Sequence, residues 1–285
     1  KVIYMPLPKQ VEATEAVESG QYRWILFGGA LGGSKSHFLR WLAYRRCLQV
    51  PRFRVLLLRR TYPELEKTHM REAVLEAPLM GAVALLSRNP PVVEFPNGSV
   101  LEFGHCQDEK HVASYLSAEY DLILFDELVT FEERMVLLIA SRARTTKRGV
   151  VPMVVAGTNP GGVGGLWVRD RWVDKTVDKV RYAGYDPAKY HYIPSLLDDN
   201  PYINPEYEEF LDSLDPEIRE AYRWGRWDIF EGQFFKEFRR ERHTEVLDIP
   251  SDVPRLGGLD WGYSPRPMVH LWAVMLPDGY LHIEH

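Results

Sequence analysis

Cysteine is nearly missing from this chain: its 285 residues contain two, Cys47 and Cys106, far apart in sequence. That excludes a disulfide framework and a cysteine-based metal centre, and it suits a reducing compartment. Long apolar runs are missing too. The longest are four to seven residues, too short to span a bilayer, and the first residues carry no signal-peptide pattern. There is no low-complexity tract and no internal repeat. Positive charge is not in excess either. A net charge of −5 argues against a whole surface devoted to nucleic acid, although binding needs only a local basic face. Three clusters qualify: Arg45, Arg46, Arg52 and Arg54; Arg142, Arg144, Lys147 and Arg148; and Arg239, Arg240 and Arg242. Solvated surface is the plain alternative for each.

What is present is the composition of an ordinary globular protein, 45% apolar and 26% charged, with enough chain for one sizeable domain and smaller additions. Continuous apolar runs at 55–58, 122–125 and 153–156 suit strands buried on both faces of a parallel sheet. Residues 22–27 read as a strand entering a glycine cluster. Residues 36–49 read as a helix with Phe38, Trp41 and Leu42 on one face, ended by Pro51. This alternation continues to about residue 190, which makes 1–190 an α/β unit. Within it, PPVVEFPNGSVLEF reads as an inserted hairpin turning at Asn97-Gly98. In 191–250 the texture changes to two short helices. Each starts at a capping residue followed by proline, Asn204-Pro205 and Asp215-Pro216, and Gly225 is a stop for the second. In 251–285 strand-like runs flank an Asp278-Gly279 turn, the start of a new sheet.

Three segments carry chemistry. GGALGGSKS is close to G-x-x-x-x-G-K-[ST], with Gly29 as the first glycine and Ser34 where the second is expected. Such a loop wraps phosphates with backbone N–H groups at a helix N-terminus; its lysine, here Lys35, reaches the β/γ-phosphates and its hydroxyl, Ser36, holds Mg²⁺. Gly32 and Gly33 supply unusual backbone angles, and Ser34 keeps its own N–H for the anion. A glycine-rich turn with an incidental lysine is the alternative. DLILFDEL ends a buried strand with Asp126 and Glu127, one carboxylate for Mg²⁺ and one to polarise an attacking water. Otherwise the pair simply begins a surface helix. VVAGTNPGG brings Thr158 and Asn159 to the sheet edge where ligands of open α/β sheets bind, ahead of a hinge at Gly161, Gly162, Gly164 and Gly165; an ordinary Asn-Pro turn is the alternative. Gln10 could recognise adenine through its amide, or lie exposed in a first helical turn.

In this order and spacing, these segments resemble the large terminase subunit of tailed bacteriophages. LLLRRTYPELEKT, GTNPGGVGGLWVRDRW, IPSLLDDNPYINPEYEEFLDSL, WGRWDIFEGQFF and GLDWGYSP extend the resemblance over nearly the whole chain. It implies an α/β P-loop NTPase of the additional-strand, catalytic-glutamate type, with a mostly parallel central sheet over 1–190. A small helical linker or lid subdomain over 191–250 follows, then the beginning of a ribonuclease-H-like nuclease over 251–285. It implies an ATP- and Mg²⁺-dependent motor that moves double-stranded DNA into a capsid. The portal protein and the small terminase subunit would be its partners, with a homo-oligomeric ring during packaging, in host cytoplasm and away from membranes. Lys35 and Ser36 then take the phosphate-loop roles and Asp126 the metal role. Glu127 becomes the catalytic glutamate, Thr158 and Asn159 the coupling motif, and Gln10 the adenine contact. Asp260 matches the first nuclease metal ligand. Asp278 and Glu284 do not match the others, so no nuclease activity is expected. The loop has Ala30 and Leu31 where some members carry an arginine. Arg142 and Arg144 are therefore candidates for a transition-state arginine lent by a neighbouring subunit, with solvated charge or DNA contact as alternatives. A helicase-like ATPase outside packaging and a nucleotide-gated DNA-binding scaffold remain the competing functions.

Overall fold

The computed structural model describes residues 4–228, 240–245, 247–250, 252–261, 269–276 and 279–284. The chain divides into two compact units, Lys1–Phe234 and Phe235–His285. In the first, α1 (Pro8–Ser19) precedes β1 (Trp24–Gly29) and α2 (Lys35–Gln49), followed by β2 (Arg54–Arg59). After a helical stretch over 62–80 come β3 (Val83–Leu85), β4 (Val92–Glu94), β5 (Val100–His105), β6 (Leu122–Asp126), β7 (Met153–Thr158) and β8 (Tyr190–Ser195).

These form one eight-stranded sheet in the order β3-β4-β5-β2-β6-β7-β1-β8. From β5 to β8 every neighbouring pair is parallel. β7 separates β1 from β6, which is the additional strand of the fold class expected. The 92–105 hairpin is not a mere insertion. Its second strand, β5, pairs parallel with β2, while β3 and β4 extend the sheet antiparallel at its edge.

The central strands are buried on both faces because their side chains alternate between two cores. Ile25, Phe27, Val55, Leu57, Leu122 and Leu124 pack with Phe38 and Leu39 of α2 on one face. Leu26, Leu56, Leu58, Ile123 and Phe125 pack with Met135, Val136, Ile139 and Trp172 on the other. The two short helices fall where their capping signals lie, at Pro205–Asp212 and Pro216–Trp224, and Asn204 accepts the backbone N–H of Glu206. Gly225 follows in the left-handed conformation with φ 64°.

In the second unit β9 (Arg255–Asp260), β10 (Val269–Met275) and β11 (Leu281–Glu284) form an antiparallel meander in the order β11-β10-β9. Arg239, Asp278 and the segments 229–239 and 262–268, which hold most of QFF and WGYSP, lie outside the described residues, as does the side chain of Glu284.

Candidate functional site

Parallel strands end at one edge of a sheet, and there the expected residues converge. Register across β6, β7 and β1 sets Asp126 beside Gly157 and Gly28 beside Thr158. The loop after β1 leads into α2, whose cap, Ser34, takes the left-handed conformation with φ 52°. That explains why glycine is the usual choice there: a side chain at such φ costs about 1–2 kcal/mol. Lys35, the first residue of α2, is buried. It folds back over the loop and its Nζ donates to the Ala30 carbonyl at 2.6 Å. Burial lowers its ammonium to about 8, against the opposing pull of Glu127 and Asp126.

Ser36 Oγ donates to Asp126 Oδ2 at 2.9 Å. The same oxygen receives His69 Nε2 at 2.8 Å and lies 3.0 Å from Arg59 Nε. Burial alone would raise the Asp126 carboxyl; His69, Arg59 and Ser36 outweigh it and hold it down to about 2. Its other oxygen, Oδ1, is buried with no hydrogen-bond partner. Glu127, at φ 57°, is pushed up by burial and by Asp126, against the pull of Lys35 and Arg59. Arg59 Nη2 reaches to 3.6 Å from Glu127 Oε1, so one guanidinium straddles both carboxylates. Thr158 Oγ1 accepts the Val129 N–H at 3.3 Å and donates to the Asn159 carbonyl at 3.2 Å, while Asn159 Oδ1 is buried without a partner.

Gln10 is buried behind the loop. Its Oε1 accepts Tyr4 OH at 2.6 Å and Leu7 N–H at 3.0 Å, and its Nε2 donates to the Ser34 carbonyl at 3.4 Å. Residues after β8 pin the loop from the other side. Ala30 N–H donates to the Ser195 carbonyl at 3.0 Å and Leu31 N–H to the Tyr222 carbonyl at 2.7 Å. Asn200 Nδ2 donates to the Gly32 carbonyl at 2.6 Å and to Ser34 Oγ at 3.2 Å. Gly29 ends β1, and Gly33 faces Ser195.

The two candidate arginines are not brought to this site. Arg142 and Arg144 lie by the start of β6, at the opposite edge of the sheet. Arg142 Nη1 donates to the Leu116 carbonyl at 2.8 Å and Arg144 Nε sits 3.0 Å from Glu119. They are therefore no part of the site within this chain. Asp260 ends β9 in the second unit, exposed.

Sequence reasoning missed His69, Arg59, Ser195, Asn200 and Tyr222. Arg59 had a readable signal, a cation closing an apolar strand at the ligand-binding edge. His69 had none, because it reaches Asp126 only through a π-helical turn at Glu66–Met70. A cavity of about 630 Å³ between α1 and α2, lined by Tyr4, Val11, Trp41 and Leu48 among others, excludes Lys35, Ser36, Asp126 and Glu127.

The donor set fits Mg²⁺ with a phosphate substrate. Ser36 and Asp126 are hard oxygen donors, the free Asp126 Oδ1 lacks a partner, and such a site takes its remaining ligands from substrate and water. Among the described residues no group of three or more His, Cys, Asp or Glu converges as a protein-only metal centre would. Among the same residues no helix is long and apolar enough to cross a membrane.

Comparison with known proteins agrees with this geometry. The sequence model of the phage terminase large subunit family matches residues 21–227. No curated protein matches. Among solved structures, the large terminase of a thermophilic bacteriophage is 14% identical with a TM-score of 0.65, over 98% of this chain and 69% of that one. The large terminase of bacteriophage HK97 is 12% identical with a TM-score of 0.56, over 99% of this chain and 63% of that one. The ATPase domain of the Thermus phage P74-26 large terminase is 13% identical with a TM-score of 0.52, over 79% of this chain and 94% of that domain. At these identities the likeness is one of fold. The first of these three proteins has also been solved with ADP and with ATP-gamma-S.

Proposed function

The chain belongs to the phage terminase large subunit family, and on that premise we propose that it binds and hydrolyses ATP to drive double-stranded DNA into a capsid. The observation that carries this reading is the Ser36–Asp126 hydrogen bond of 2.9 Å, which joins the phosphate loop to the acidic strand end beside Glu127. Ser36 and Asp126 would hold Mg²⁺, which when bound offsets charge on the β- and γ-phosphates. Lys35 would leave the Ala30 carbonyl for the γ-phosphate. Glu127 orients and deprotonates the attacking water, and its raised carboxyl makes it the stronger base once ionised. Gly29, Gly32, Gly33 and Ser34 shape the loop. Gln10, whose amide bonds the Ser34 carbonyl, would contact adenine by exchanging a bond. Thr158 and Asn159 stand beside the acidic strand end, where loss of the γ-phosphate would be felt and passed on.

The segment divides as a P-loop ATPase over 1–190, a linker or lid over 191–250 and the first strands of a ribonuclease-H-like nuclease over 251–285, with Asp260 its metal ligand. Portal, small terminase subunit and a ring of copies on a procapsid in host cytoplasm are the partners and place this role implies. In such a ring Arg142 or Arg144 of one copy would serve its neighbour's site.

Steady-state ATP hydrolysis against protein concentration tests the reading, with Glu127→Gln as control. A rate per chain that climbs with concentration and drops about 10²–10⁴-fold in the variant supports it. A second reading, a nucleotide-gated DNA-binding scaffold, is favoured by the loop being tied back, with Ala30 and Leu31 N–H already engaged by Ser195 and Tyr222. ATP bound without turnover at any concentration would select it.

A further inference from the structure

At one edge of the sheet Asp126 and Glu127 lie with Arg59 and Lys35 against them. The opposite edge, where the parallel strands begin, gathers cations from segments distant in sequence. Arg52 and Arg54 precede and open β2. Arg148 lies in the loop leading to β7, a loop held at this edge by the Lys147–Asp121 ion pair of 2.7 Å. Arg23 precedes β1, its carbonyl taken by Val154 N–H. Lys175 reaches the carbonyl of Tyr190, the first residue of β8, at 3.0 Å.

The carboxylates of this edge are already engaged. Asp121 is buried, holding Arg54 N–H at 2.8 Å and Lys147. Glu119 holds Arg144 at 3.0 Å and Asp186 lies 3.6 Å from Lys189. Among the described residues, Arg23, Arg52, Arg54, Arg148 and Lys175 have no carboxylate within ion-pair distance. Arg52, Arg54, Arg148 and Lys175 are exposed. Two of them, Arg52 at φ 56° and Lys175 at φ 57°, sit in left-handed backbone where an uncharged glycine or asparagine would be easier. The other two such residues, Ser34 and Glu127, are both in the nucleotide site.

We infer that this edge is the face that grips duplex DNA, through its phosphates. From β2 to β8 the row crosses four inter-strand steps of ~4.8 Å, about 19 Å in all, or roughly half a turn of duplex. Duplex DNA presents one charge per ~1.7 Å of axis, so the whole row can be met by phosphates at once. Cations from separate segments lying in a row across the strand ends suit contacts to the phosphate backbone, which fix position and carry no sequence information. The hydrolytic residues lie at the other end of the same strands, so grip and hydrolysis are separable by mutation. The inference rests on the motor reading above and adds where the DNA lies.

The test is binding of a mixed-sequence DNA duplex to the full chain across a series of KCl concentrations, by fluorescence anisotropy. The double variant Arg52→Ala/Arg148→Ala is compared with Arg88→Ala/Arg134→Ala, an equal charge change on exposed residues elsewhere. The edge variant should lose about 1.8 from the slope of log K against log salt, 0.9 for each phosphate contact removed. The control should keep the wild-type slope, and ATP hydrolysis without DNA should match wild type in both. Equal slopes in wild type and edge variant, or an equal loss in the control, would overturn the inference while leaving the motor reading intact. Wild-type chain that hydrolyses ATP but binds no duplex even at low salt would overturn both.

Discussion

His69 and Asp126 form a fully buried pair, Nε2 to Oδ2 2.8 Å, on the same carboxylate oxygen that Ser36 contacts. The carboxylate accepts, so Nε2 carries the proton, and the carboxyl plane is fixed with Oδ1 free. A hydrogen bond to a charged group is worth about 1.5–3 kcal/mol, and removing it leaves Asp126 short of a partner. His69→Leu should therefore destabilise the fold by about 2 kcal/mol in urea unfolding. It should also raise the Mg²⁺ concentration needed for half-maximal hydrolysis, with little change in KM for ATP. His69→Gln, whose amide can donate from a similar place, should recover part of both. A Mg²⁺ requirement identical in all three proteins would remove His69 from the site.

Ser34 makes the loop depart from its usual glycine, and opposing effects of similar size decide what that costs. Glycine would relieve a left-handed strain of about 1–2 kcal/mol. It would add about 0.4–1 kcal/mol of unfolded-state entropy and lose the Asn200 bond to Oγ, worth about 0.5–1.5 kcal/mol. Ser34→Gly should thus change stability by less than about 1 kcal/mol and keep hydrolysis. Ser34→Val, β-branched at the same φ, should lose both. Calorimetry and steady-state rates on the two variants decide it; a crippled glycine variant would mean the hydroxyl itself acts.

Gly225 presses the helical segment onto the phosphate loop. A Cβ there would stand 3.0 Å from Gly29 Cα and 3.1 Å from Ala30 N, both backbone. Gly225→Ala should therefore shift the loop and weaken nucleotide binding, read with a fluorescent ATP analogue. Gly149→Ala is the control. Its φ of 78° imposes a comparable strain, but a Cβ there meets nothing within 4 Å, so it should lose stability and keep nucleotide affinity. Equal affinities in both variants would count against mechanical contact between Gly225 and the loop.

Much of this architecture was legible because it is local. Unbroken apolar runs gave β2, β6 and β7, and proline after a capping residue gave the starts at Pro205 and Pro216. Glycines around Lys35, and acids ending an apolar strand, gave the site's first contacts. Whatever depends on topology was hidden. The pairing of β5 with β2 turned an apparent insertion into part of the main sheet. The π-helical turn that aims His69 at Asp126 has no pattern of its own in EKTHM. Nor does the sequence of Arg142 and Arg144 say where they lie; the chain folds them beside Tyr120, ahead of β6 and away from Asp126.

Acid should reveal Asp126 in protein free of nucleotide and Mg²⁺. Its carboxyl is held down to about 2 from an ordinary 3.8. A depressed folded value means that its stabilisation is fully present above the unfolded value and is lost as pH falls from about 4 towards 2. The loss should be about 2 kcal/mol. Urea unfolding at stepwise lower pH should therefore fall more steeply for wild type than for Asp126→Asn. Parallel curves would mean that His69 and Arg59 do not hold the carboxylate as described.

Arg40 and Glu76 tie α2 to the helical stretch that carries His69. Both are buried; Nη2 donates to Oε1 at 2.7 Å and Nε to Oε2 completes a two-pronged pair. A buried pair of this kind gains little over apolar packing, but breaking it strands a charge. Arg40→Met alone should cost about 3–5 kcal/mol, because it leaves the buried Glu76 carboxylate without its paired guanidinium. Arg40→Met with Glu76→Leu should recover most of that stability. Hydrolysis separates the pair's two roles. If the pair only fills the core, the double variant regains wild-type turnover. If, as the Arg40 contact to the Thr68 carbonyl beside His69 suggests, it also sets the π-helical turn, the double variant should be stable yet slow, with the raised Mg²⁺ requirement expected of His69→Leu. A stable double variant with full activity would confine Arg40 and Glu76 to holding the helices together.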